Sequence, residues 1–179
     1  EIGGGFGAKT TVYLEPLALV LSRQAGRPVR MVMSRAEVFE ATGPTSAGVI
    51  EVKLGARRDG TLTAGELVLK FQAGAFAGAP VNQAGMCALA SYDVANVSVT
   101  GYDVVSNRPK ATAYRAPGSP ISAFAVESAL DELAAKLGMD ALELRLKNIA
   151  RNGQQAVYGA TFRDIGFVET LEAVRNHPH

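Results

Sequence analysis

Apolar positions along the chain change their period several times, and each change marks an element. Thr11 to Gln24 is almost continuously apolar, and Pro16 suits a first turn, so a helix is expected from about Glu15 to Ala25 with Gly26 closing it. Val29-Arg30-Met31-Val32-Met33 alternates and predicts a strand. Ser34-x-x-Glu37 is a capping box, and the short helix that it opens should end by Gly43-Pro44. Val49 to Arg57 and Leu62 to Phe71 read as two strands joined through Asp59-Gly60, a turn pair that predicts an antiparallel hairpin. Ala73 to Ala90 keeps neither the strand nor the helix period and is expected to be an irregular packed segment. Val94 to Val105 predicts a strand interrupted at Gly101, and Ala111 to Tyr114 a short one running into Arg115-Ala116-Pro117-Gly118.

Beyond Pro120 the helical period takes over. Val126, Leu130, Leu133, Ala134 and Leu137 fall on one stripe, with Gly138 as its C-cap. Asp140-x-x-Glu143 caps a second helix on which Leu142, Leu146 and Ile149 share a face, and a last helix is expected from about Asp164 to Arg175. Hairpin-type strands followed by helices predict an α+β fold, with mixed or antiparallel sheets and flanking helices.

Bulk properties narrow the function. The 179 residues carry 18 Lys and Arg against 17 Asp and Glu, a net charge of +1, and no basic cluster, so no nucleic-acid partner is expected. No stretch nears the length of apolar residues that a membrane span needs. The single cysteine, Cys87, excludes an intrachain disulfide and is expected to be a small buried thiol. His177 and His179 flank Pro178 at the C-terminus and read as tail residues, which leaves no histidine-based triad or zinc site. Glu127, Asp131 and Glu132 read as a solvated helix face, although Glu127 and Asp131, one turn apart, could share a partner under the Arg115 loop. With only Glu1-Ile2 where a strand is expected before a glycine loop, the chain reads as a piece of a larger protein.

Chemistry concentrates in Gly3-Gly4-Gly5-Phe6-Gly7-Ala8-Lys9-Thr10. Glycines free the backbone to bring N–H groups close to an anion, here just before a helix. From the residues alone three readings stand. Gly3-x-Gly5-x-x-Ala8 fits a dinucleotide fingerprint of the Rossmann type, with Arg35 near the place for a 2′-phosphate partner, but the hairpin-rich run that follows lacks the repeating β–α–β order. Gly3-x4-Ala8-Lys9-Thr10 misses a triphosphate loop by one glycine. The loop could also be a plain turn in a structural or interaction module.

The loop Gly3-Gly4-Gly5-Phe6-Gly7-Ala8-Lys9, the segment Ala113-Tyr114-Arg115-Ala116-Pro117-Gly118 and the helix hairpin through Gly138-Met139-Asp140, in that order, resemble the molybdenum-cofactor subunit of the xanthine dehydrogenase and aldehyde oxidase family. The similarity runs from residue 1 to about residue 175. It implies a molybdenum hydroxylase: a pyranopterin dithiolene, often its cytosine dinucleotide form in bacteria, holds the molybdenum, and hydroxylation takes oxygen from water. It also implies that Gly4, Gly5, Phe6 and Gly7 lie against cofactor and metal, with Phe6 beside the molybdenum, and that Arg115 closes the other side in a catalytic role with Ala116 adjoining. The partners implied are the remainder of the molybdenum subunit, an iron–sulfur subunit with 2Fe-2S clusters, an FAD flavoprotein and a small-molecule substrate, in the cytoplasm for most members and exported for some. On this resemblance residues 1–179 are one piece of the molybdopterin-binding domain. Residues 1–45 supply the glycine loop, helix and strand, 46–118 the β-rich part with the second loop, and 119–179 the helices. The family's base glutamate and its apical glutamine would lie outside it, so the piece alone is expected to be inactive.

Departures from the family pattern narrow the substrate. Purine-oxidising members carry a glutamate after the loop lysine and an aromatic two residues past the arginine, where this chain has Thr10 and Pro117. Carbon monoxide dehydrogenases carry a cysteine after the arginine, where this chain has Ala116. An aldehyde or an aromatic N-heterocycle is the substrate class that the resemblance leaves.

Overall fold

A computed structural model describes residues 4–178. The elements in chain order are α1 (Glu15–Ala25), α2 (Arg35–Ala41), β1 (Gly48–Ala56), β2 (Leu62–Gly74), α3 (Val81–Ala88), β3 (Asn96–Val105), α4 (Ser119–Leu137), α5 (Ala141–Asn148) and α6 (Phe167–Arg175). The fold is α+β, with one three-stranded sheet in the order β1-β2-β3 among the described residues. The short connection from β1 to β2 permits only an antiparallel pair, and its turn is closed by Arg57 N–H to Thr61 O and Gly60 N–H to Arg57 O, both 2.9 Å. β3 runs in the same direction as β2. Asn96 Nδ2 donates to Thr63 O at 3.0 Å at one end, and Ser106 N–H donates to Gly74 O at 2.9 Å at the other. α3 lies in the crossover that such a parallel neighbour needs, so the sheet is mixed.

The chain divides into two compact units. One, the loop unit, holds the residues up to Ala47 together with Phe71–Pro80 and Asp103–Pro117. The other, the core unit, holds Gly48–Lys70, Val81–Tyr102 and the residues from Gly118 onward.

The core unit is built by the apolar stripe of α4. Val126, Leu130 and Ala134 recur at the helical spacing and join Leu62, Leu67, Leu89, Tyr92, Leu144 and Ile149 in one buried cluster. Each large side chain removed from water there stabilises the fold by about 1.5–3 kcal/mol before ordering costs. Asn148 adds a polar clamp at the end of α5. Its Oδ1 accepts from Leu62 N–H at 2.8 Å, and its Nδ2 donates to Gly60 O at 2.9 Å and Leu144 O at 2.8 Å, so the hairpin turn and α5 share one buried side chain.

The loop unit is organised differently. Its buried apolar residues include Phe71 and Ala73 at the end of β2, and Ala111. α1 and α2 bury no residue at all, and Leu17, Leu19 and Val20 of α1 are each more than half exposed.

Several sequence expectations need correction. Val29–Met33 forms no strand, because no other segment among the described residues pairs with it. The alternation itself is real, since Val29, Met31 and Met33 are half-buried while Arg30 and Val32 are exposed. The segment read as irregular contains α3, whose Gly85 leaves room for Val99 and Leu69 to pack close. β3 runs unbroken through Gly101, where a Cβ would stand 2.8 Å from Val81 Cγ2, so packing rather than a bend requires the glycine. Ala111–Tyr114 is extended chain without strand assignment. On α5 the buried face is Leu144 and Asn148, since the Asn148 hydrogen bonds outweigh the Leu142 and Leu146 periodicity. Cys87 is exposed, with Ser119 Oγ 3.1 Å from its Sγ, and is not a core thiol. The Ser34 capping box, the α1 boundaries and the left-handed Gly138 cap are all present. Gly3 and the Glu1-Ile2 remnant, like His179, lie outside the described residues.

Candidate functional site

The described glycine loop and residues 113–117 of the arginine loop lie in the loop unit, and the structure sets them side by side. Ala8 N–H donates to Gly5 O at 2.9 Å, which closes the glycine loop into a turn, and Thr10 Oγ1 donates to Gly7 O at 3.3 Å. Gly7 has φ +97°, and a Cβ added to it would stand 3.1 Å from Ala113 O and 3.3 Å from Ala113 Cβ. Only glycine meets both demands, a left-handed backbone and direct packing on the residue two before Arg115. Gly5 is less constrained, since a Cβ there meets only Lys9 Cβ at 3.7 Å.

Each loop also holds a non-glycine residue in the left-handed region, Phe6 at φ 51° and Ala116 at φ 53°. Such conformations cost about 1–3 kcal/mol each and gather where function needs a particular backbone shape. Phe6 is 66% exposed, and Arg115 and Ala116 are exposed as well. Among the described residues the N–H groups of Gly5, Phe6, Gly7, Arg115 and Ala116 donate to no protein acceptor, and the Arg115 guanidinium has no partner. Two adjacent loops thus present free backbone donors and one permanent cation, a donor set suited to a large anionic group. No three His, Cys, Asp or Glu side chains converge among the described residues.

Behind the loops a bonded framework ties them to β2. Ala111 N–H donates to Ala73 O at 2.8 Å. Thr112 N–H donates to Pro44 O at 3.0 Å, while Thr112 Oγ1 donates to Gly43 O at 2.7 Å. Gly43 N–H in turn donates to Tyr13 Oη at 3.1 Å. The sequence reading treated Gly43 only as a helix stop. Nothing in the local pattern signals that residues 30 and 69 positions from it complete its bonding.

The carboxylates of α4 belong to the core unit, and their shared partner is Arg145 of α5. Arg145 Nε lies 2.8 Å from Glu127 Oε2, and Nη1 lies 2.8 Å from Asp131 Oδ1. Tyr92 Oη donates to Glu127 at 2.8 Å from Oε1 and 2.9 Å from Oε2. Burial, with the Glu127 charge beside it, pushes the Tyr92 hydroxyl well above the ordinary tyrosine range. The cluster is a brace between helices rather than an acid–base pair, and the long-range Arg145 contact carried no local sequence signal. The dinucleotide alternative is not supported, since α1 leads into the unpaired Val29–Met33 segment and then an antiparallel hairpin.

Comparison with known proteins points the same way. The family described as "Molybdopterin cofactor-binding domain" matches residues 1–149. The xanthine dehydrogenase molybdenum-binding subunit of Escherichia coli O157:H7 is 37% identical over 179 residues, covering 97% of this chain and 24% of that protein. The nicotinate dehydrogenase large molybdopterin subunit of Eubacterium barkeri is 31% identical over 177 residues, covering 97% of this chain and 42% of that one. Among solved structures, the aldehyde oxidoreductase from Desulfovibrio gigas superimposes with a TM-score of 0.90 at 33% identity, over 97% of this chain and 20% of its own. The chain therefore spans less than half the length of each.

Proposed function

Because this chain belongs to the molybdopterin cofactor-binding domain family, we propose that residues 1–179 are one segment of a molybdenum hydroxylase subunit and supply two loops that grip its cofactor. The observation that carries the reading is the packing of Gly7 on Ala113, which brings the glycine loop and the arginine loop together with their backbone donors free. Bound there, the molybdopterin group supplies the two-electron chemistry that turns a C–H bond into C–OH with water as the oxygen source.

The remaining roles fall to this chain's own atoms. Backbone N–H groups of Gly5, Phe6 and Gly7 would donate to cofactor oxygens, and Gly4 sets the loop's path at φ +97°, where a Cβ would meet Phe6 Cε2 at 3.2 Å. The exposed Phe6 ring gives the substrate side an apolar wall that excludes water. The Arg115 guanidinium offsets the anionic charge and directs donors at an oxygen whose charge grows in the transition state, and Ala116 leaves the space beside it clear. The cofactor would be the cytosine dinucleotide form, and 2Fe-2S clusters and FAD on partner domains or subunits would accept its electrons, in the cytoplasm. The substrate is an aldehyde or an aromatic N-heterocycle. Relatives named for aldehyde and nicotinate support this class, as do Thr10, Ala116 and Pro117 at the positions that mark other members. A relative named for xanthine makes that purine the control to run.

The test uses the full-length protein. Molybdenum per protomer and nucleotide released by acid are measured, followed by anaerobic reduction with benzaldehyde, nicotinate and xanthine. One molybdenum per protomer, cytidine nucleotide and reduction by one of the first two are expected. Molybdenum-free protein would overturn the site, and reduction by xanthine alone would overturn the substrate class.

A further inference from the structure

We infer that Tyr13, Gly43 and Thr112 form a positioning brace that fixes the spacing between the two cofactor loops; the inference rests on the proposed reading of those loops as a molybdopterin grip. Tyr13 stands just beyond the glycine loop and Thr112 just before the arginine loop, and both bond the same residue, Gly43, one at its N–H and the other at its carbonyl. Gly43 N–H donates to Tyr13 Oη at 3.1 Å, and Gly43 O accepts from Thr112 Oγ1 at 2.7 Å. Both bonds are partly buried, so solvent competes with them weakly. Thr112 holds the Gly43-Pro44 strap through both its side chain and its backbone, since its N–H donates to Pro44 O at 3.0 Å.

Gly43 tolerates no side chain. A Cβ there would stand 2.0 Å from Thr112 Cγ2 and 2.7 Å from Lys110 O, so the strap is pressed against residues 110–112. That segment is in turn anchored to the buried end of β2 through Ala111 N–H to Ala73 O at 2.8 Å. The route from rigid strand to loop is therefore continuous. Ala73 holds Ala111, Thr112 holds Gly43 and Gly43 holds Tyr13, while Ala113 meets Gly7 directly. Loops whose own residues are exposed and left-handed keep their mutual distance because this framework is bonded. A displacement of about 1 Å between groups that act on one bound molecule is enough to cost about 100-fold in rate.

The role is positioning, since none of the three residues is required to touch the cofactor. Thr112→Val keeps the branched shape and removes the hydroxyl, Thr112→Ser keeps the hydroxyl and removes the methyl, and Tyr13→Phe removes the acceptor for Gly43 N–H. Each is made in the full-length, molybdenum-loaded protein, in which the otherwise free N–H groups of both loops are held by the bound group, and amide hydrogen exchange is followed at residues 4–10 and 113–118 beside molybdenum content and turnover per molybdenum. Thr112→Val is expected to speed exchange in both segments together by about tenfold, and to lower turnover per molybdenum by about tenfold with KM little changed. Thr112→Ser is expected to restore both, and Tyr13→Phe to shift both in the same direction by less. Exchange that rises at residues 113–118 alone, unchanged turnover per molybdenum, or failure of serine to rescue would overturn the brace. If Thr112→Val does not fold, Tyr13→Phe decides by the same two readouts. Wild-type protein without molybdenum would overturn the cofactor reading, and exchange at Ala8, whose N–H is bonded to Gly5 O, would still decide by the same comparison of variants whether Thr112 steadies the glycine loop.

Discussion

The core unit and the loop unit obey different rules. In the core unit, side chains decide the structure. Leu67, Leu69, Leu89, Val126, Leu130 and Leu144 are fully shielded from solvent, and the polar groups among them are paired by Asn148. In the loop unit, the backbone decides. Phe6, Arg115 and Ala116 are exposed, Phe6 and Ala116 hold left-handed conformations, and Gly7 is needed for space as well as for φ. Stability thus gathers where apolar surface can be buried, while the proposed chemistry sits where it is not, on loops whose N–H groups are left for a ligand.

The contrast breaks most sharply if a core substitution disturbs the loops' work. Leu130→Ala should lower the unfolding free energy by about 3 kcal/mol through cavity formation. Molybdenum content of the protein that remains folded should match wild type. Denaturant unfolding with metal analysis on the same samples checks this, and parallel loss of both would merge the two units into one functional body.

Arg115→Lys tests the other side with a slightly smaller effect. Lysine keeps the charge and loses the planar fork, so turnover per molybdenum should fall about 100-fold, equivalent to about 2.7 kcal/mol, with the melting temperature unchanged. Normal single-turnover reduction per molybdenum would remove the arginine from the catalytic machinery. Because Glu127 and Asp131 already pair with Arg145, a loss of stability is not expected from this change.

The smallest effect concerns Tyr92. Its hydroxyl titrates higher folded than the unfolded value of about 10, so its contribution to stability is complete below that pH and is lost as pH rises through the folded value. Stability should therefore decline above about pH 10, and Tyr92→Phe should flatten that decline while costing about 1 kcal/mol at neutral pH. An unchanged alkaline profile in the variant would assign the decline to other groups.

Much of the element order was legible in the sequence, for physical reasons. The α1 limits, the Asp59-Gly60 hairpin and the α4 stripe follow from local pattern, and the structure reproduces them. Val29–Met33 shows what pattern leaves out. Alternation tells which residues share a face, but a strand also needs a partner, and period alone does not name one. α3 escaped notice because Asn82 and Gly85 weaken the helical signal while close packing on Val99 and Leu69 compensates. The resemblance identified the two loops. Their meeting at Gly7 and Ala113, the bonding of Gly43 and the Arg145 brace all depend on residues far apart in the chain, which no local window contains.

The claim that the loop unit holds the cofactor is tested most directly by molybdenum per protomer in full-length Gly7→Val protein. A branched side chain at φ +97° against Ala113 O should push the two loops apart, so the account predicts molybdenum near zero beside an unchanged melt of the core. Full molybdenum occupancy in that variant would contradict it.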